Sequence, residues 1–146
     1  MKSLLLFISL LFTYISTPNA DSPELNTDLG RIFKGRASYY GVKLNGHRTA
    51  SGEIMDKSLF TCAHKTLPFG TMLEVKNLKN QKKVIVRVND RGPYSNSRIL
   101  DISFAAAQEI EMITSGTADI EAIVIGKNGV VAIKPVDPLL DILNLK

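Results

Sequence analysis

The sequence contains one cysteine, no tryptophan and two histidines. A single cysteine excludes an internal disulfide framework. Without a cysteine pair, a structural zinc site of the usual four-ligand kind is excluded too. There is no GxSxG elbow and no phosphate loop, so the sequence gives no support to serine-hydrolase or P-loop chemistry. Charge of one sign is also scarce in excess: 18 Lys and Arg stand against 14 Asp and Glu, a net +4. That is too mild and too dispersed to argue for nucleic acid as a partner. It suits a modest attraction to anionic polymers.

Long apolar runs are few. Ser3 to Ser16 (SLLLFISLLFTYIS) follows Lys2 and precedes Pro18-Asn19-Ala20. A membrane-spanning helix needs roughly 20 apolar residues. The shorter run, its basic start and the small residue after it predict a signal peptide over 1–20, cut after Ala20. No cysteine lies near that point to carry a lipid. The expectation is an exported protein with no stable membrane anchor, in the periplasm or cell envelope or outside the cell.

What remains is ordinary for a globular protein: 45% apolar and 22% charged residues in a chain of 146. The length allows one domain with tails. Residues 21–34 read as a polar leader, 35–126 as the folded domain, and 127–146 as a final strand and tail. The tail carries an apolar stripe of Leu139, Leu140, Ile142, Leu143 and Leu145. Arg36–Tyr40 is a strand candidate, followed by a loop over Gly41–Glu53. Thr71–Lys76 and Lys83–Asn89 alternate around the polar turn Leu78–Lys82 and predict a hairpin. In the second, Val84, Val86 and Val88 face one way and Ile85, Arg87 and Asn89 the other. Arg98–Ile102 and Thr117–Ile125 are further strands. Ser103 is placed to cap a helix over Phe104–Ile113 that ends near Gly116. Short strands with one small helix predict an all-β barrel or sandwich. A barrel would remove exposed edges by closure.

Four titratable residues stand out in separate polar motifs. Glu53 ends Thr49-Ala50-Ser51-Gly52-Glu53. His64 precedes a Pro/Gly turn in Thr61–Gly70. Asp90 opens Asp90-Arg91-Gly92-Pro93, and Asp101 lies within Leu100-Asp101-Ile102 eleven residues later. Each also has a plain structural reading. Asp90 can shape its turn by bonding its own backbone. Asp101 can pair with Arg98 or Arg91, Glu53 can be a solvated loop carboxylate, and His64 a satisfied histidine. Cys62 and His64 lack a third orienting group and do not read as a nucleophile pair. Cys62 reads as a small buried apolar residue. Paired acids are the currency of glycan cleavage, where one protonates the leaving oxygen and another assists attack.

The runs GRASYYG, NGHRTASGE, TCAHKTLPFGTMLEV, VIVRVNDRGPY and RILDISFAAAQEI closely resemble the RlpA-like (rare lipoprotein A) family. The resemblance spans Gly35 to about Gly126. It implies a six-stranded double-psi β-barrel and lytic cleavage of peptidoglycan glycan strands without a cofactor. Residue by residue, Glu53, His64 and Asp90 match the family's proposed catalytic set. Asp101 aligns with the essential acid of more distant barrel relatives. Tyr40, Thr49, Arg91 and Arg98 would line the same groove as substrate-binding residues. The sequence departs from the name-giving members in two ways: it has no lipidated cysteine, and only 20 residues follow Gly126, too few for a C-terminal SPOR domain.

The resemblance implies an exported, monomeric transglycosylase that cuts between MurNAc and GlcNAc and leaves a 1,6-anhydro product. Asp101 is the expected proton donor, with Asp90 the charge that stabilises the sugar. The alternative is a non-catalytic, expansin-like module that binds wall polysaccharide. Export is checked by N-terminal sequencing of the secreted protein, which should start at or near Asp21. An intact Met1 on membrane-bound protein would overturn the signal-peptide reading.

Overall fold

The computed structural model describes residues 28–132. The expected signal peptide, most of the leader and the C-terminal tail lie outside them. Within them are seven strands and one α-helix: β1 Ile32–Tyr39, β2 Thr61–Ala63, β3 Met72–Asn77, β4 Lys83–Asp90, β5 Leu100–Ile102, α1 Phe104–Glu109, β6 Thr117–Lys127 and β7 Val130–Val131. Among the described residues no helix is long and apolar enough to cross a membrane.

Alternation drives the architecture, because successive strand residues face opposite sides of a sheet. Val84, Val86 and Val88 of β4 turn inward, while Ile85 between them is 41% exposed. Leu73 and Val75 of β3 and Ile120, Ala122 and Val124 of β6 do the same. Six strands pair in the order β1-β5-β2-β4-β3-β6, and β6 pairs back to β1, which closes the ring. β1 with β5 and β2 with β4 run parallel; the other pairs are antiparallel. This is the double-psi β-barrel that the sequence led us to expect. β7 adds only a short hairpin arm to β6.

Two boundaries differ from the sequence reading. β1 starts at Ile32, four residues before the expected Arg36, because Ile32–Gly35 pair with Ile120–Ile123 of β6. The helix stops at Glu109 rather than Ile113. Its Ser103 cap forms as expected, with Oγ accepting from the Ala106 amide at 3.3 Å. The stop has a local cause. The Ile110 carbonyl, which a longer helix would use, accepts instead from the Asn77 and Asn80 side-chain amides at 2.9 and 3.1 Å. Glu111 then takes a left-handed φ of 53°, and Met112 folds into the core.

The barrel predicts a sharp contrast between neighbours. Leu73→Ala, at a fully buried position, should cost about 2–5 kcal/mol in chemical denaturation. Ile85→Ala, on the outer face, should change stability by no more than about 0.5 kcal/mol. Equal losses at the two positions would refute the assigned register.

Candidate active site

The site forms on the outer face of the barrel, where three short pairings align. On β5, Leu100 and Ile102 are buried, so Asp101 between them faces outward. Asp101 is registered with Ser38 of β1 on one side and Ala63 of β2 on the other. Ala63 is in turn registered with Asp90 of β4. Registered neighbours share a face, so Ser38, Asp101, Ala63 and Asp90 form one row across four strands. The two aspartates are separated by one small side chain. Their Cα atoms lie two strand spacings apart, on the order of 9.5 Å.

Asp90 reaches this row through an irregularity. Cys62 pairs with Val88, but the next residue, Ala63, pairs with Asp90. Asn89 is thus the extra residue of a β-bulge, a device that re-aims a side chain. Strict alternation after Val88 would have turned Asp90 inward.

Each carboxylate is tied down by one oxygen. Asp101 Oδ1 accepts from Ser38 Oγ at 2.5 Å and from Arg98 Nε at 3.1 Å. Asp90 Oδ1 accepts from the amides of Ala50 and Arg91 at 2.9 and 2.8 Å. Neither Oδ2 is hydrogen-bonded to a described residue. Tyr40 follows β1 on the same face as Ser38. Its amide donates to the Ile102 carbonyl at 2.9 Å. Its hydroxyl is buried and has no partner among the described residues. Burial, with the nearby charges of Asp90 and Asp101 adding to it, holds this phenol far above its ordinary range, so it stays protonated.

The other expected site residues are hydrogen-bonded to the loops around the row. Both Glu53 oxygens are taken by Arg87, at 2.6 and 2.9 Å, and Oε2 also accepts from Asn89 Nδ2 at 3.1 Å. The hydrogen bond from Arg87 holds this carboxyl below its usual range. Glu53 therefore clamps its loop to the bulged end of β4. Gly52, at φ +91°, supplies the turn that delivers it. Thr49 is buried, and its hydroxyl is engaged with Ser51 Oγ and the Glu53 carbonyl. Arg91 donates to the Leu67 and His64 carbonyls at 2.9 and 3.3 Å and stacks on Phe69. It pins the His64 loop to the aspartate loop.

His64 directly follows Ala63 of the row, and its backbone amide donates to the Asp90 carbonyl at 3.2 Å. Its ring packs 5.4 Å from that of Phe33. Phe33 shares the core-facing side of β1 with Ala37, in register with Ala122. Nδ1 accepts from the Thr66 and Leu67 amides at 3.1 and 3.0 Å. That fixes a neutral ring with its proton on Nε2. Burial lowers its pKa to about 4, helped by the positive charges of Arg31, Arg91 and Lys65. Cys62 is fully buried in the core, and burial pushes its thiol pKa up. Ser38 and Ala63 were not singled out by sequence; only the cross-strand register gives them a place in the row.

An open recess of about 900 Å³ lies elsewhere, lined by Arg36, Asn77, Lys79, Asn80, Glu111 and Asp119 among others. Neither aspartate of the row lines it. The amides of Asn77 and Asn80 are spent on the Ile110 carbonyl, so its polar lining serves the fold. Among the described residues no cluster of three or more His, Cys, Asp or Glu is arranged to hold a metal.

This chain, a closed double-psi β-barrel with two outward aspartates in one row, belongs to the lytic transglycolase family, whose model matches residues 32–122. It is 47% identical over 105 residues to the endolytic peptidoglycan transglycosylase RlpA of Helicobacter pylori, covering 72% of this chain and 33% of that one. It is 51% identical over 100 residues to the protein of that name from Haemophilus influenzae, covering 67% and 35%. The chain thus spans about a third of the length of these relatives. Among solved structures, Streptomyces papain inhibitor superposes with a TM-score of 0.54 at 23% identity, covering 65% of this chain and 94% of that one. Clavibacter michiganensis expansin superposes at 0.51 and 21%, covering 73% and 53%. These two share the fold.

The state of His64 is directly measurable. With the folded pKa near 4 and an ordinary value of 6.5, the ring should show no NMR titration between pH 8 and 5. The sign for stability follows, since the unfolded chain takes up a proton that the folded one refuses. The contribution of neutral His64 is complete above about pH 6.5 and declines as pH falls toward 4. A ring midpoint near 6.5 in the folded protein would refute this environment.

Proposed function

We propose that this chain is a lytic transglycosylase of the cell envelope that cleaves peptidoglycan glycan strands between MurNAc and GlcNAc. It acts as a monomer, without a cofactor. The observation that carries the reading is the row of Asp101 and Asp90 across Ala63, each held by one oxygen and open at the other. The names of the relatives, endolytic peptidoglycan transglycosylases, supply the substrate.

The partners of the two aspartates favour different roles. Both groups bound to Asp90 Oδ1 are backbone N–H donors, which support a carboxylate and cannot accept a proton from an acid. Asp90 is the fixed negative charge that faces the oxocarbenium-like sugar. Asp101 shares Oδ1 with the Ser38 hydroxyl, which can donate or accept and so tolerates both protonation states. With Arg98 also on Oδ1, the transferable proton sits on Oδ2.

Asp101 gives that proton to the glycosidic oxygen as the bond to the anomeric carbon breaks. The C6 hydroxyl of the muramic acid then attacks the same carbon, and its proton returns to Asp101. The products are a free GlcNAc 4-hydroxyl and a 1,6-anhydro ring, with no water consumed. Glu53 and His64 act as positioning residues, one clamping the Asp90 loop and the other organising the turn beneath Arg91.

Mass spectrometry of digested sacculi tests this. Wild-type protein should release anhydro-muropeptides. Asp101→Asn should lose about 10²–10⁴-fold in rate, the usual cost of a general acid, while still binding sacculi. Asp90→Asn should also be impaired. Normal cleavage by a folded Asp101→Asn variant would refute the assignment. Retention of wild-type protein on sacculi without soluble product would favour the binding-module reading.

A further inference from the structure

The loop that joins β4 to β5 runs past the middle of the row. A Cβ placed on Gly92 would stand 3.7 Å from the Ala63 Cβ, and Ala63 lies between the two aspartates. The next residue, Pro93, is fully buried and anchors the chain there. Beyond it, the Ser95 and Ser97 hydroxyls share a hydrogen bond of 2.8 Å, and the Ser97 amide donates to Ser95 Oγ at 3.3 Å. Arg98 is then held by Asp101 at 3.1 Å. Tyr94 sits between these anchors, yet its side chain is 93% exposed. The next most exposed aromatic among the described residues, Phe60, stands at 46%. Single exposed apolar side chains are ordinary on a protein surface. The place of this one is not. Two residues of chain span at most about 7 Å, so Tyr94 rises beside the aspartates, from a loop held on both sides of it.

The ring's chemistry says what it can hold. An aromatic ring has negative faces, and a tyrosine joins an apolar body to a polar tip that can stay wet. A pyranose with equatorial substituents turns its axial C–H bonds, apolar and weakly positive, toward such a face. Only two side-chain torsions are frozen when a tyrosine is ordered, so the entropic cost of the contact is small. A glycan strand lying across both aspartates runs on past the row by further sugar units. We infer that the Tyr94 ring is a stacking platform for a sugar unit beside the cleaved bond, and that it holds the strand in register over Asp101 and Asp90. This rests on the glycan-cleaving reading above and adds to it a residue that touches the polymer and takes no part in proton transfer. Binding of that kind is the same in the ground and transition states, so its loss raises KM and leaves kcat in place.

The test compares wild type with Tyr94→Ala and Tyr94→Phe. It reads thermal melting, co-sedimentation with sacculi, and the initial rate of muropeptide release against sacculus concentration. Both variants should melt with wild type, because an exposed side chain adds little to the fold. Tyr94→Ala should bind sacculi about tenfold more weakly, the order of one aromatic stacking contact. Its half-saturating sacculus concentration should rise by about the same factor, with the saturated rate within about twofold of wild type. Tyr94→Phe should match wild type throughout, since stacking needs the ring and not the hydroxyl. Four results would overturn the inference: wild-type binding by Tyr94→Ala, a saturated rate that falls while its binding holds, an equal loss in Tyr94→Phe, or a lowered melting temperature that accounts for the loss. Wild type that does not bind sacculi would overturn it together with the cleavage reading. Wild type that binds sacculi but releases nothing would end the cleavage reading alone, and weaker binding by Tyr94→Ala would then still support the platform.

Discussion

The slip of register between β2 and β4 is the constraint on which the site depends. One extra residue, Asn89, carries Asp90 from the inward series of Val84, Val86 and Val88 to the outer face beside Ala63. The bulge leaves Asn89 itself buried, and its side-chain amide is taken up by Glu53. Glu53 is held in turn by Arg87, two residues earlier on the same strand. The irregularity that aims the aspartate is thus braced by an ion pair at its own edge. Because Glu53 and Arg87 are both partly exposed, that pair is worth little as raw stability. Its value lies in fixing where a loop ends.

The supports around the row share a logic. Backbone amides of Ala50 and Arg91 hold Asp90, while the Arg91 side chain holds the carbonyls of the His64 turn. Three loops far apart in sequence are therefore locked to one another by backbone amides and one arginine. Positioned groups are what general acid–base catalysis requires, since reach must be set before acidity matters.

Much of this was legible in the sequence, and the rest was hidden for identifiable reasons. The alternation of Val84, Val86 and Val88 made the barrel face plain, and Leu100-Asp101-Ile102 showed an acid on the opposite side from its neighbours. The closed topology was not readable from pattern and came through the family resemblance. The bulge left no trace in composition, because Asn89 fits alternation until its partner strand is known. The nature of His64 was equally hidden. A histidine before a Pro/Gly turn can be a base or a satisfied side chain, and only the structure shows that its Nδ1 accepts from the turn that follows it. The helix was overextended because Ile110 and Met112 continue an apolar pattern, while the competing asparagines lie 33 and 30 positions away.

The closing seam of the barrel joins Ile32 to Ile123, almost the full length of the described domain. Loop closure of that span must be met before the inner faces can share a core. Proteins dominated by such distant pairings fold slowly compared with those built from local ones. A nascent chain that lacks β6 has no closed wall, and β1 and β3 are then bare edges open to wrong partners. The row of Ser38, Asp101, Ala63 and Asp90 lies on β1, β5, β2 and β4, four neighbours in the strand order. Its geometry is set by the register of those four strands, and β6 contributes to it by closing the ring.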